Sequence, residues 1–113
     1  MKWISLDAGQ ISEHGSDAVH MTEAARLTDG NEFRVHLAQI GPGGVLGRHP
    51  TRLWQLFHVM TGSGWVSGQD GEEQRIHAGQ AVMWAPGEHH ESKSDDGMSV
   101  VIIQASSPLP YGD

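Results

Sequence analysis

The chain has 113 residues and a formal net charge of −7, with seven lysine and arginine residues against 14 aspartate and glutamate residues. It contains no cysteine, which excludes disulfides, thiolate nucleophiles and cysteine zinc sites. The basic residues are scattered and form no stripe for a phosphate backbone or an anionic membrane surface. We therefore expect neither nucleic acid nor a membrane as a partner.

The length fits a single domain over residues 1–113. No segment is apolar over enough residues to span a membrane, and residues 1–10 lack the apolar run of a signal peptide. These features predict a cytoplasmic protein. The 15 glycines are spread along the whole chain, which indicates many tight turns and therefore many short strands.

The N-terminal part predicts an arm followed by a hairpin. Residues 1–15 are typical of an extended arm, with a short strand at residues 2–6. Residues 18–27 contain good helix formers but also alternate with a period of two. Because Asp29-Gly30 follows, and because residues 32–40 alternate cleanly, the pattern favours two strands joined by a hairpin turn.

The alternation in the second of these strands also predicts which side chains face the interior. Phe33, Val35 and Leu37 share one face, and His36 lies on the other. We expect the apolar set to face inward and His36 to face outward. The alternative, in which His36 lines the interior, would add an imidazole to any site there.

The rest of the chain predicts strands separated by glycine-containing turns. About eight short strands are expected in total, which indicates an all-β domain built as a sandwich or a barrel. The expected loops and turns are residues 41–47, 61–64, 70–71 and 95–97, and the expected strands include residues 52–60, 73–78, 79–88 and 98–104.

Two motifs within residues 41–94 resemble the two conserved boxes of the cupin family of small antiparallel jelly-roll barrels. In the first box, residues 41–62, the glycine, histidine, histidine, glutamate and glycine positions fall on Gly43, His49, Thr51, Gln55 and Gly62. In the second box, residues 79–94, the glycine, proline, glycine, histidine and asparagine positions fall on Gly79, Ala85, Gly87, His90 and Ser94. The resemblance implies an antiparallel jelly-roll fold.

The resemblance also implies a metal site, which this chain has altered. In the family, three histidines and a glutamate hold a divalent metal inside the barrel, and Thr51 and Gln55 occupy two of those four positions here. Both are neutral, so the charge of an iron, manganese, nickel or zinc ion would be poorly compensated. The remaining candidate ligands are His49, His90 and Gln55, with Glu88 as a carboxylate that could turn inward.

Three functions follow from this reading. The first is a barrel that binds a small molecule through His49, Gln55 and His90, with Thr51 and Trp84 completing the site. The second is a metal-dependent oxygenase or isomerase using one divalent ion, and the third is a structural module without a cavity. Five other histidines are expected to face outward, namely His14, His20, His58, His77 and His89.

A homodimer is expected because the edge strands of an open jelly roll need to be covered. The apolar residues Trp3, Ile4 and Leu6 of the arm could add to the sheet of a second copy.

Overall fold

The computed structural model describes residues 1–109, and residues 110–113 of the predicted domain lie outside this range. The described residues form one 3-10 turn at Glu13–Gly15 and eight strands, all paired antiparallel. The strands are β1 (Gly9–Ile11), β2 (Asp17–Leu27), β3 (Phe33–Pro50), β4 (Trp54–Ser67), β5 (Gln74–His77), β6 (Ala81–Trp84), β7 (His89–Lys93) and β8 (Met98–Ala105).

Four strands close the sheet on itself. β3 pairs with β8, β8 pairs with β4, β4 pairs with β7, and β7 pairs back with β3. This ring of pairings makes a barrel, to which β1 and β2 add on one side and β5 and β6 on the other. The prediction of an all-β, antiparallel jelly-roll barrel is confirmed.

The loop predicted at residues 41–47 is wrong, because these residues continue β3. Residues 33–40 pair with β8, and the strand then changes partner and pairs with β7 from Val45 onward. The glycines let the chain bend between the two partners, and the register shifts between Leu46 and His49, which is typical of a bulge. Glycine marks a corner within one strand here, and not the end of a strand.

The turn predicted at residues 61–64 is also wrong, for the same reason. These residues lie inside β4, which pairs with β8 up to Gly62 and with β5 from Ser63. A Cβ on Gly64 would overlap the backbone oxygen of Lys93, so glycine permits the close crossing of two strands at this corner. β7, which supplies that contact, was not recognised as a strand in the sequence.

The N-terminal strand lies later than predicted. Residues 2–6 form no strand, and the first strand is Gly9–Ile11, which pairs with β2. Trp3 is 88% exposed and Ile4 is 73% exposed, because nothing in residues 1–109 covers the apolar side chains of the arm.

The hairpin of β2 and β3 is confirmed, but the predicted orientation of β3 is wrong. Phe33 and Leu37 are exposed on the outer face. His36 lines the interior instead. The reason is the register with β8, in which His36 lies opposite the buried Ile102, so that the even-numbered residues of this segment face inward.

The hydrophobic core fills one end of the barrel interior. Its buried members come from six of the strands and pack into a single cluster. They are Val19, Ala38, Ile40, Phe57, Val59, Val66, Ile76, Trp84, Met98, Val100 and Ile102. Beyond the level of Ile102 the inward-facing residues become polar, and a cavity begins there.

Candidate functional site

The polar end of the barrel contains a cavity of about 240 Å³. Strands β1, β2, β3, β4, β7 and β8 and the 3-10 turn all contribute to its wall. The lining residues are Ile11, Glu13, His14, Ser16, Met21, Arg34, His36, Leu46, His49, Gln55, His90, Ser92, Ile102 and Gln104. The wall therefore combines an apolar part with an unusual number of imidazole and amide groups.

His49 and His90 meet because β3 and β7 are paired. The two residues are direct partners in the strand register, and their ring centroids lie 4.5 Å apart at an angle of 56°. The Nδ1 of His49 lies 2.6 Å from the oxygen of Gly47, and the Nδ1 of His90 lies 3.4 Å from the oxygen of Glu88. A carbonyl oxygen can only accept, so each Nδ1 carries the proton and each Nε2 holds the lone pair.

Gln55 joins this pair through a chain of hydrogen bonds. Its Oε1 accepts from the Nε2 of Gln104 at 3.1 Å and from the hydroxyl of Thr51 at 3.4 Å. Because the amide oxygen is occupied in this way, the amide nitrogen faces His90, at 3.4 Å from its Nε2. Both polar atoms of the Gln55 amide therefore have a partner, which fixes its orientation.

Burial favours the neutral form of two imidazoles of the cavity, those of His90 and His36. Desolvation, followed by the nearby His49, lowers the pKa of His90 from 6.5 to about 4. Desolvation also lowers the pKa of His36 below its ordinary value. At neutral pH these rings therefore act as uncharged hydrogen-bond partners.

The expectation that His14 faces outward is wrong. His14 lines the cavity, and its ring stacks on that of His49 with centroids 4.3 Å apart and planes 10° apart. A Cβ on Gly47 would overlap the backbone oxygen of His14, so the glycine lets the 3-10 turn lie directly on β3. The hydroxyl of Ser16 accepts a hydrogen bond from the Gly47 nitrogen at 3.0 Å and holds this contact.

Thr51 supports the cavity without lining it. Its side chain is buried, and the hydroxyl lies 2.8 Å from the oxygen of Leu53, to which it donates, as well as near Gln55. Thr51 therefore helps to orient the amide of Gln55.

Trp84 and Glu88 lie on another side of the site. The Trp84 ring stacks on His90, with centroids 4.4 Å apart, yet Trp84 and Glu88 both line a second cavity of about 410 Å³. The Glu88 carboxylate accepts from the backbone nitrogen of Ala85 at 3.0 Å and that of Gln69 at 3.4 Å. It is used to stabilise its own turn, and the structure does not bring it to His49 and Gln55.

The groups that are brought together do not fit a divalent metal. No group of three or more histidine, cysteine, aspartate or glutamate side chains is arranged to hold a metal within residues 1–109. Gln55 turns its NH₂ toward His90, and an amide nitrogen is not a metal ligand of the kind that oxygen and imidazole provide.

Sequence reasoning missed Arg34 and Gln104, both of which line the cavity. Gln104 ends an otherwise apolar strand, and a glutamine in that position was the available signal, since buried amides need partners. Arg34 gave no such signal, because it alternates with apolar residues as any solvent-facing arginine would.

Comparison with known proteins assigns the family. A family model described as a cupin domain matches residues 36–104. The chain belongs to the cupin family. The matched region contains both sequence boxes and most of the strands that line the cavity of this cupin. A comparison with curated proteins gave no significant match.

Several solved structures are similar in fold. The polyketide cyclase RemF from Streptomyces resistomycificus is 18% identical, with 97% of this chain and 82% of that chain covered and a TM-score of 0.75. An RmlC-like cupin from Shewanella frigidimarina is 16% identical, with 90% and 85% covered and a TM-score of 0.73. A predicted oxalate decarboxylase from Thermotoga maritima is 17% identical, with 88% and 90% covered and a TM-score of 0.69.

At these identities the likeness concerns the fold alone, and the named activities differ from one protein to the next.

None of the helical structure in residues 1–109 has the length and apolarity needed to cross a membrane.

Proposed function

We propose that this cupin binds a small organic molecule in the cavity beside His49, Gln55 and His90. The observation that carries the proposal is the fixed chain of uncharged hydrogen-bond groups on the cavity wall, running from Gln104 through Gln55 to His90. Such a wall, with a few oriented polar groups among apolar ones, is typical of small-molecule sites. The volume of about 240 Å³ lies below the ~300–1,000 Å³ of drug-sized pockets, which favours a small ligand.

A matched pair of tryptophan substitutions on β3 tests this proposal. Leu46→Trp fills the cavity that Leu46 lines, whereas Leu37→Trp adds the same ring to the exposed outer face. A library of small polar and apolar fragments is screened by NMR against the unsubstituted protein and both variants. We expect fragments that shift the side-chain amide signals of Gln55 and Gln104, and we expect Leu46→Trp to abolish these shifts while Leu37→Trp retains them.

A second variant that fills the cavity controls for the possibility that Leu46→Trp does not fold. Met21→Trp enters the same cavity from β2, so at least one of the two filled variants should retain the melting temperature of the unsubstituted protein. Fragment shifts that survive in a folded, filled variant would place binding elsewhere and contradict the proposal.

The alternative function, a metal-dependent oxygenase or isomerase, stays a prediction. Both imidazoles donate Nδ1–H to backbone oxygens, which leaves Nε2 as the nitrogen with a lone pair. A metal would require the Gln55 amide nitrogen to turn away from the Nε2 of His90, which it faces at 3.4 Å. Elemental analysis of untagged protein tests this alternative. A metal content near one equivalent would replace the proposal of a metal-free binding site.

We also propose that two copies of the chain associate. The outer face of the barrel exposes Leu27, Phe33 and Leu37, and the arm exposes Trp3 and Ile4; exposed apolar patches of this kind often mark interfaces. Sedimentation equilibrium at micromolar concentration should give twice the monomer mass, and a monomer mass would contradict the proposal.

A cytoplasmic location likewise stays a prediction, which fractionation of the source cells would test.

A further inference from the structure

The most informative side chain at the mouth of the cavity is Arg34. It faces inward from β3, where its direct partner in the register is Gln104 of β8, and Gln104 is in turn the partner of Gln55 on β4. One row across three strands therefore carries a guanidinium followed by two amides. All three side chains line the cavity.

The guanidinium of Arg34 has an unused donor. Its Nε is buried and has no hydrogen-bond partner within residues 1–109. A buried N–H without an acceptor costs free energy, more so when it is charged. The Nε itself is covered by protein atoms, but the Arg34 side chain as a whole is 26% exposed and lines the cavity. A ligand can therefore approach the guanidinium there, and a carboxylate is the group that matches a guanidinium best.

The positive charge of Arg34 is only partly compensated by its neighbours. Its Nη2 lies 2.6 Å from Glu32, but the same carboxylate receives two hydrogen bonds from Arg52, at 3.1 and 2.7 Å. The hydrogen bond from Arg52 is also the largest cause of the lowered pKa of Glu32. Two arginines thus share one carboxylate. Glu23 is hydrogen-bonded to Arg26, which is the largest cause of its lowered pKa, and Arg34 also helps to lower that pKa. These three arginines and two carboxylates together carry one net positive charge beside the cavity.

The rest of the wall limits the ligand to a single negative charge. Among the described residues that line the cavity, Glu13 is the one carboxylate, and it belongs to the 3-10 turn and not to the row of Arg34. A second negative charge on the ligand would meet the Glu13 carboxylate or the amides of Gln55 and Gln104, which carry no charge to compensate it. The apolar part of the wall, formed by Ile11, Met21, Leu46 and Ile102, suits an apolar ligand body.

We propose that the ligand is a small monocarboxylate with an apolar body, and that Arg34 binds its carboxylate. This inference rests on the proposed function, since it names the ligand class of the same cavity. It predicts that the charge of the ligand, and not only its shape, determines binding.

Two pairs of probes test the inference, each pair matched in shape and differing in charge. They are benzoate against benzamide and pentanoate against pentanamide, titrated into ¹⁵N-labelled full-length protein by NMR. We expect at least one carboxylate to bind about tenfold or more tightly than its amide and to shift the Nε–H signal of Arg34. Arg34→Gln should reduce carboxylate affinity about tenfold and should abolish the preference for the acid over its matched amide.

Arg75→Gln is the matched control, because Arg75 is exposed on β5 and does not line the cavity. It should change carboxylate affinity by less than about twofold. Equal affinity for the acid and amide of both pairs, an unchanged affinity in a folded Arg34→Gln protein, or no carboxylate binding at all would overturn the monocarboxylate inference. If the monocarboxylate inference failed in one of these ways, the proposed function could still hold. It would hold if neutral fragments bound the unsubstituted protein and lost their binding in Leu46→Trp.

Discussion

The two ends of the barrel interior share strands β2, β3, β4 and β8 and differ in side-chain chemistry. The buried core adds residues from β5 and β6, and the cavity wall adds residues from β1 and β7. On β3 the inward residues change from Ile40 and Ala38 to His36 and Arg34; on β8 they change from Val100 to Gln104. β4 changes in the same direction, from Val59 and Phe57 to Gln55. β4 and β8 change at the same level, where Phe57 and Ile102 give way to Gln55 and Gln104, whereas β3 changes one pair earlier, at His36 opposite Ile102. The register therefore divides the interior into an apolar part that stabilises the fold and a part that lines the cavity.

The apolar end should show the largest effect on stability. Phe57 is fully buried and packs on Trp84, with ring centroids 5.7 Å apart. Phe57→Ala should lower the free energy of unfolding by about 3–5 kcal/mol, because it leaves a cavity in the core. Urea denaturation measures this, and Met60→Ala on the same strand, at a 52% exposed site, should cost less than about 0.5 kcal/mol.

The polar end should make stability depend on pH. Burial lowers the pKa of His90 in the folded state from 6.5 to about 4, so its neutral form is favoured by folding. The contribution is fully present above pH 6.5 and is lost as the pH falls toward 4, because the unfolded chain then binds a proton that the folded chain does not. The loss should be about 2 kcal/mol.

The free energy of unfolding is measured at pH 7 and pH 4 for the unsubstituted protein and for His90→Gln. Because both proteins share the same carboxylates, the difference between them isolates the contribution of His90. The variant should lose about 2 kcal/mol less stability between the two pH values. Equal losses in both proteins would show that burial of His90 does not govern the pH dependence.

A change of one atom at the polar end should convert it from an amide site to a metal site. Gln55→Glu places a carboxylate beside His90 and His49, and two imidazoles with one anionic oxygen are a common ligand set for a divalent metal. We expect Ni²⁺ or Zn²⁺ to bind about tenfold or more tightly than to the unsubstituted protein, measured by calorimetry. Gln39→Glu, at an exposed position of β3, adds the same charge outside the barrel and should leave metal affinity unchanged.

The smallest effect concerns backbone strain near the polar end. Within residues 1–109 the non-glycine residues with positive φ are His14 and Ala18, at 58° and 55°, and both lie in the segment that carries the turn over the cavity. Ala18→Gly should raise the free energy of unfolding by about 0.5–1 kcal/mol, because glycine adopts this conformation without strain. Ala24→Gly in the same strand should have the opposite sign, and a loss of stability in both variants would contradict the assignment of strain.

The comparison of the two ends also explains what could be predicted from the sequence. The turn at Asp29-Gly30 and the spacing of the two boxes predicted the hairpin and the barrel, because turn chemistry is local. The structure places His49, Gln55 and His90 on one cavity, as their box positions implied. The corners at residues 41–47 and 61–64 were misread, because a glycine that bends a strand looks the same in sequence as a glycine that ends one.

The orientation of β3 could not be predicted for a different reason. Alternation separates two faces of a strand but does not say which face is inside when one carries Phe33 and Leu37 and the other carries Arg34 and His36. The pairing of β3 with β8 settles the matter, and that pairing joins segments far apart in the chain. For this reason the residues at the mouth of the cavity were the ones that sequence reasoning missed.

The ring of pairings that closes the barrel has a consequence for how the protein reaches its folded state. The pairing that brings His49 beside His90 joins β3 to β7, and the ring also needs β4 to meet β8. Contacts between such distant segments carry a high entropic cost and form slowly. The chain should therefore form its hairpins early and the cavity beside His49 and His90 only at the last step of folding.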